Sequence, residues 1–134
     1  MEHKELQEKY YLYQNLHQQI KQESDQLQEL NNKLVELEYI KMSLDELKSV
    51  EAGSEILAPI SSGIFIKAEL KKNDELLVNV GGNTVVGKDV EETKALMDTQ
   101  VREIEEYRDK QLQKLQGLVT RARELEKELS EMAG

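Results

Sequence analysis

The sequence predicts an α+β chain, mostly helical, in which two long helices form an antiparallel coiled coil around two central β-hairpins. Three observations point there. Apolar residues recur at heptad spacing in a first flank and again in a last one. Between the flanks, glycines concentrate at Gly53, Gly63, Gly81, Gly82 and Gly87, among short runs of alternating apolar residues. The single proline, Pro59, also lies in the centre, so neither flank carries that helix breaker.

At 134 residues the chain has room for one domain, 1–134, divided into a first coiled-coil flank (1–50), a hairpin segment (54–88) and a last flank (89–134). Charged residues make up 34% and aromatics 4%, with no tryptophan and one phenylalanine. Such a composition suits solvated helices that bury a narrow seam rather than a compact globular core. The formal net charge of −9 argues against nucleic acid or an anionic membrane surface as partner, since both need clustered Lys and Arg. The absence of cysteine excludes disulfides and thiolate metal sites and fits a reducing compartment. MEHKELQEKYY holds no apolar signal core, and no run reaches the roughly 20 apolar residues of a membrane span. The expected localisation is cytoplasmic.

In the first flank, Leu6, Tyr13, Ile20, Leu27 and Leu34 repeat at one seam position. Leu16, Leu30, Leu37 and Leu44 repeat at the other, with Glu23, Lys41 and Lys48 as polar interruptions. The pattern fades near Ser49 and ends by Gly53, a helix-stop signal. The last flank opens at Asp89-Val90-Glu91-Glu92, where an Asp cap and early acids suit a helix N-terminus. Met97, Val101, Ile104, Leu115, Leu118, Ala122, Leu125, Leu129 and Met132 then form its seam, broken at Arg108 and Gln111. Gly117 costs roughly 1 kcal/mol in a helix interior, which a long seam absorbs. Flanks of similar length joined by one connector pair most simply with each other; the alternative is that each pairs with another chain.

The centre reads as four short strands, at 56–60, 63–70, 75–80 and 84–87. Ser61-Ser62-Gly63 and Gly81-Gly82-Asn83 supply the turns, and Lys71-Lys72-Asn73-Asp74 joins the two hairpins. Ile64, Ile66, Ala68 and Leu70 alternate with Phe65, Lys67 and Glu69, and Leu76, Val78 and Val80 repeat the alternation. Two hairpins are marginal alone, and with both flanks engaged in the coil no helix is left to cover them. Open edges and bare apolar faces predict assembly with other chains. Its candidate residues are Ile56, Ile60, Ile64, Ile66, Leu70, Leu76, Val78, Val80 and Val85. The alternative is a small self-contained sheet packed on the coil.

Gly82-Asn83-Thr84-Val85-Val86-Gly87-Lys88 imitates the GxxxxGK start of a phosphate-binding loop. Asp89 follows where a Ser or Thr hydroxyl should meet magnesium, and Glu91 and Glu92 add charge of the wrong sign. The valines suit a strand, and no βαβ context surrounds them. His3 and His17, the only histidines, have no acid at a ligand spacing, so no metal or cofactor is expected. No nucleophile–base arrangement can be named, and the expectation is that the chain is not an enzyme.

Tyr10, Tyr11 and Tyr13, with Leu6, Leu12 and Leu16, surround the start of the first helix. One seam cannot hold them all. An antiparallel hairpin sets them beside Leu125, Leu129 and Met132, at an end that frays and exposes apolar surface. As a group these residues read as a binding surface, although individually each also serves to pin the helix ends.

The order helix, two hairpins, helix, together with EILAPISSGIFIKAEL and ELLVNVGGNTVVGKDVEE, resembles the archaeal-type α class of the prefoldin family over essentially the whole length. The resemblance implies a hexamer of two α-class and four β-class subunits, whose hairpins form an intersubunit β-barrel platform carrying six coiled coils. It implies an ATP-independent chaperone, a holdase that binds unfolded or nascent proteins at the coiled-coil tips and delivers them to a group II chaperonin. By that analogy the client-binding role falls on Leu6, Tyr10, Tyr11, Tyr13, Leu16, Leu125, Leu129 and Met132. The alternative function is a non-enzymatic coiled-coil adaptor or scaffold that binds defined native partners, and a filament is an alternative assembly.

Overall fold

A computed structural model describes residues 2–72 and 74–133. Asn73, expected in the linker between hairpins, and the terminal residues Met1 and Gly134 lie outside the described residues. The elements are α1 (Glu2–Leu47), β1 (Glu55–Ser61), β2 (Ile64–Glu69), β3 (Leu76–Asn79), β4 (Val85–Lys88) and α2 (Val90–Ala133). The helix, two hairpins, helix order predicted by the heptads and glycines is the order found. The chain divides into two compact units, one holding 2–34 with 102–133 and the other Val35–Val101.

In the first unit the seam is closed by Leu16, Ala122 and Leu125, with Tyr13, Ile20 and Leu118 packed against them. Ion pairs fix the direction of the helices: Lys9 meets Glu128 at 3.2 Å and Glu23 meets Lys114 at 3.0 Å. As the residue number rises along α1 it falls along α2, so the segments run antiparallel. Glu23 interrupts the apolar stripe because it has a cation to face across the seam. The seam is narrow, and Leu125 alone among the large described side chains is fully enclosed.

In the second unit Leu37, Val90, Met97 and Val101 are buried. Lys41 pairs with Asp98, Lys48 with Glu91, and Lys94 with Asp45 at 2.7 Å, again in antiparallel order. Helix α1 gives way after Leu47 to tight turns, in which the Ser49 and Val50 amides donate to the Glu46 and Leu47 carbonyls. The Ser49 hydroxyl also donates to the Glu46 carbonyl, which thus accepts twice at the helix end. Helix α2 begins on a true cap: the Asp89 carboxylate accepts from the Glu92 amide at 2.7 Å, and the Asp89 carbonyl accepts the Thr93 amide and hydroxyl.

Strands β1 and β2 pair antiparallel, with Ile56 opposite Ala68 and Ala58 opposite Ile66. The register shifts between Pro59 and Ser61, where Pro59 brings no amide to the ladder. The pairing runs one step beyond the strands, since Leu70 donates to the Ser54 carbonyl and accepts from the Gly53 amide. Strands β3 and β4 form a separate two-stranded sheet, with Leu76 opposite Lys88 and Val78 opposite Val86. Its turn centres on Gly82 and Asn83, with φ of 57° and 60°, and the Thr84 amide closes it on the Gly81 carbonyl at 3.0 Å. Two central residues with positive φ are what a type I′ turn requires, and Gly followed by Asn supplies them at low cost.

Candidate functional site

The phosphate-loop imitation resolves into ordinary hairpin chemistry. Gly82 and Asn83 make the turn, Val85 to Lys88 form strand β4 and Asp89 caps α2. Each part of the run is therefore committed to local backbone structure. Among the described residues, no group of three or more His, Asp and Glu side chains is placed to hold a metal ion. Nor is any described helix long and apolar enough to cross a membrane.

An apolar concave surface lies in the first unit, where α1 begins and α2 ends. Leu6, Gln7, Tyr10 and Tyr13 of α1 face Glu126, Leu129, Ser130 and Ala133 of α2 across a groove of about 540 Å³, within the usual range for a binding pocket. The seam builds it. Tyr13 packs on the Leu16, Ala122 and Leu125 cluster, and its ring also stands edge-on to His17 at a centroid distance of 4.5 Å. Tyr10, one turn nearer the helix start, lies outside that cluster and is 55% exposed. A second depression of about 590 Å³ is lined by Glu2, His3, Glu5, Leu6, Lys9, Glu131 and Met132. Leu6 borders both, so an apolar groove and an acidic one lie on either side of a single side chain.

The predicted tip residues divide accordingly. Leu6, Tyr10, Tyr13 and Leu129 come together in the apolar groove, and Met132 lines the acidic one. Tyr11 is exposed and lines neither. Leu16 and Leu125 are 7% and 0% exposed, which corrects their assignment as contact surface: they hold the helix pair closed beneath the groove. Sequence reasoning missed Gln7, Glu126, Ser130 and Ala133. Their signal is positional, since each immediately follows a seam residue, Leu6, Leu125, Leu129 or Met132, and so forms the flank of the stripe.

The hairpins present a different surface. Ile60, Ile64, Ile66, Val80 and Val85 are exposed, whereas Ile56, Leu70, Leu76 and Val78 are half-buried. The opposite faces are also apolar and bare: Leu57, Phe65 and Leu77 are exposed, Leu77 at 76%. The register sets Val86, not Val85, across from Val78, so Val85 shares the face of Leu77. Among the described residues, each sheet has only two strands, leaving both outer edges unpaired. A third set, Val35, Tyr39 and Met42, lies exposed at helical spacing along α1 and was not foreseen, because the heptad pattern accounts only for the seam.

The family model of the prefoldin subunit matches residues 16–134. The chain is 30% identical over 131 residues to the prefoldin subunit alpha of Pyrococcus horikoshii, covering 97% of this chain and 84% of that one. It is 29% identical over 129 residues to the prefoldin subunit alpha of Archaeoglobus fulgidus, covering 95% and 93%. It is 31% identical over 100 residues to that of Methanobrevibacter smithii, covering 72% and 68%. The fold is similar, with a TM-score of 0.76 and 20% identity, to a chain in the cryo-EM structure of filamentous PFD from Methanocaldococcus jannaschii, covering 84% of this chain and 93% of that one.

Proposed function

The chain belongs to the prefoldin family as an alpha-class chaperone subunit, and from that premise we propose that it captures non-native proteins at the helix tips without ATP. In this reading its hairpins join those of β-class subunits in an intersubunit β-barrel, two α chains with four β chains. The complex works in the cytoplasm, carries no cofactor, catalyses no reaction and hands its clients to a group II chaperonin.

The observation that carries the capture reading is the apolar groove of Leu6, Tyr10, Tyr13, Leu129 and Ala133, open to solvent on a chain otherwise rich in charge. Burial of apolar surface contributes about 25 cal/mol per Å², so a single tip holds one or two large side chains weakly. Several tips acting on one unfolded chain raise avidity without a strong individual site. Weak contacts also release, so no hydrolysis step is needed. The bare faces and open edges of the two hairpins support assembly, since alone they leave apolar area and backbone groups exposed to water.

Removing 1–16 and 125–134 tests capture coarsely, but it also deletes Leu16 and Leu125, which close the seam. A sharper variant is Leu6→Ser with Tyr10→Ser and Leu129→Ser. It is expected to weaken suppression of client aggregation while the complex stays assembled. Undiminished capture by that variant would refute the tip reading. Native mass spectrometry of the complex formed on this chain tests the stoichiometry: two copies with four of a second coiled-coil subunit support it, and a homo-oligomer or one stable native partner overturns it.

A further inference from the structure

We propose that the tip selects apolar client segments that carry a Lys or Arg close to the apolar side chain it takes up. The inference rests on the capture reading above and adds the chemical class of the preferred segment.

The apolar groove supplies the binding and its border supplies the choice. Glu126 is the one charged residue lining the groove, and it makes no ion pair among the described residues. Across Leu6, the second depression is lined by Glu2, Glu5 and Glu131. Its one lysine, Lys9, is already engaged, 3.2 Å from Glu128 and 4.0 Å from Glu5. Glu2 and Glu131 make no ion pair among the described residues. Among the described residues the other nearby cations stand outside both depressions: Lys4, Arg123 and Lys127 line neither, and Arg121 is held by Glu124 at 3.4 Å. An apolar side chain seated against Tyr10, Tyr13 and Leu129 therefore brings its sequence neighbours beside free carboxylates. A Lys or Arg stem can lie along Leu6 while its charged head reaches Glu126 or Glu131. An acidic neighbour is repelled at the same places.

The test uses the assembled complex and short labelled peptides that share one apolar core and differ only in flanking Lys, Ser or Glu. Binding is read by fluorescence anisotropy at low and at high salt. Exposed charge pairs of this kind support a preference of roughly 1.5-fold to fivefold for Lys over Ser flanks at low salt, shrinking at high salt. The preference should vanish in Glu126→Gln with Glu131→Gln. It should survive in Glu103→Gln with Glu106→Gln, which changes net charge equally away from both depressions. Equal binding of Lys- and Ser-flanked peptides overturns the selectivity and leaves tip capture standing. An equal loss in both variant pairs also overturns it, assigning the effect to the chain's overall charge. If Leu6→Asp with Leu129→Asp leaves binding of the Ser-flanked peptide unchanged, tip capture itself fails and the selectivity falls with it.

Discussion

Glu23 and Lys114 meet across the seam 3.0 Å apart, and the second Glu23 carboxylate oxygen is buried without a hydrogen-bond partner among the described residues. The Gln111 side-chain oxygen is left in the same condition, while its amide nitrogen donates to the Tyr107 hydroxyl at 3.0 Å. This part of the seam is therefore polar and incompletely satisfied, in the stretch where the apolar heptad breaks.

Replacing Glu23 with Leu should stabilise the helix pair by about 1 kcal/mol, because a half-satisfied buried carboxylate gives way to seam burial. Lys114→Ala should instead destabilise it by about 1 kcal/mol by leaving the carboxylate without its cation. The Lys114 side chain is 59% exposed, so solvent screening limits what the pair itself contributes, and a double-mutant cycle should return a coupling below about 1 kcal/mol. Urea unfolding followed by circular dichroism reads all three. A loss of stability in Glu23→Leu would show that the polar layer supports the pairing rather than merely fixing its register.

Gly117 lies within α2, and a Cβ there would meet nothing within 4 Å among the described residues. No packing demand accounts for the glycine. Gly117→Ala should raise stability by about 1 kcal/mol through helix propensity alone, read as a higher urea midpoint with an unchanged slope. A fall would mean that the open space is occupied in the assembled complex.

These interior features show how far the sequence could be read. The seam was legible because heptad spacing places Leu16 and Leu37 on one stripe of α1, and Met97, Val101, Ala122 and Leu125 on one stripe of α2, and all of them are buried. The second turn was legible because few residues other than Gly and Asn accept positive φ. The groove was only half legible. Heptads mark the line of contact but not its flanks, so Glu126, Ser130 and Ala133 went unnamed. The register shift between Pro59 and Ser61 was hidden as well, because alternation read from sequence assumes an unbroken ladder.

Asp89 connects the imitation loop with the helix that follows. Asp89→Ala should cost about 1 kcal/mol by removing the acceptor for the Glu92 amide. Hydrogen exchange should then accelerate in the first turn of α2. Asp89→Thr tests the other property of the position. It keeps a capping side chain and completes the GxxxxGKT pattern, yet isothermal titration with magnesium and ATP should show no binding. Gly82 and Asn83 remain committed to the turn and Val85 to Lys88 to the ladder. Measurable ATP binding would overturn that assignment.

The ion pairs of the second unit should make its helix pairing sensitive to pH at both extremes. The hydrogen bond from Lys94 holds the Asp45 carboxyl below its ordinary value, helped by the positive charges of Lys94, Lys48 and Lys41 and opposed by desolvation. A depressed carboxyl stabilises the fold above its unfolded pKa of about 3.9, and that contribution fades as pH falls through the folded value. Lys41 is shifted the other way, upward, chiefly by its hydrogen bond to Asp98, with desolvation opposing. Its contribution is complete below the unfolded pKa of about 10.4 and fades as pH rises through the folded value. The contribution of these two groups should therefore be flat between these limits and fall on either side. Asp45→Asn should make the acid limb shallower and alter the alkaline one less, since Asp45 is only a minor cause of the Lys41 shift, while Lys41→Met should do the reverse. Thermal unfolding across the pH range reads both limbs. Acid limbs that coincide for wild type and Asp45→Asn would remove Asp45 from the account and assign acid sensitivity to other carboxylates.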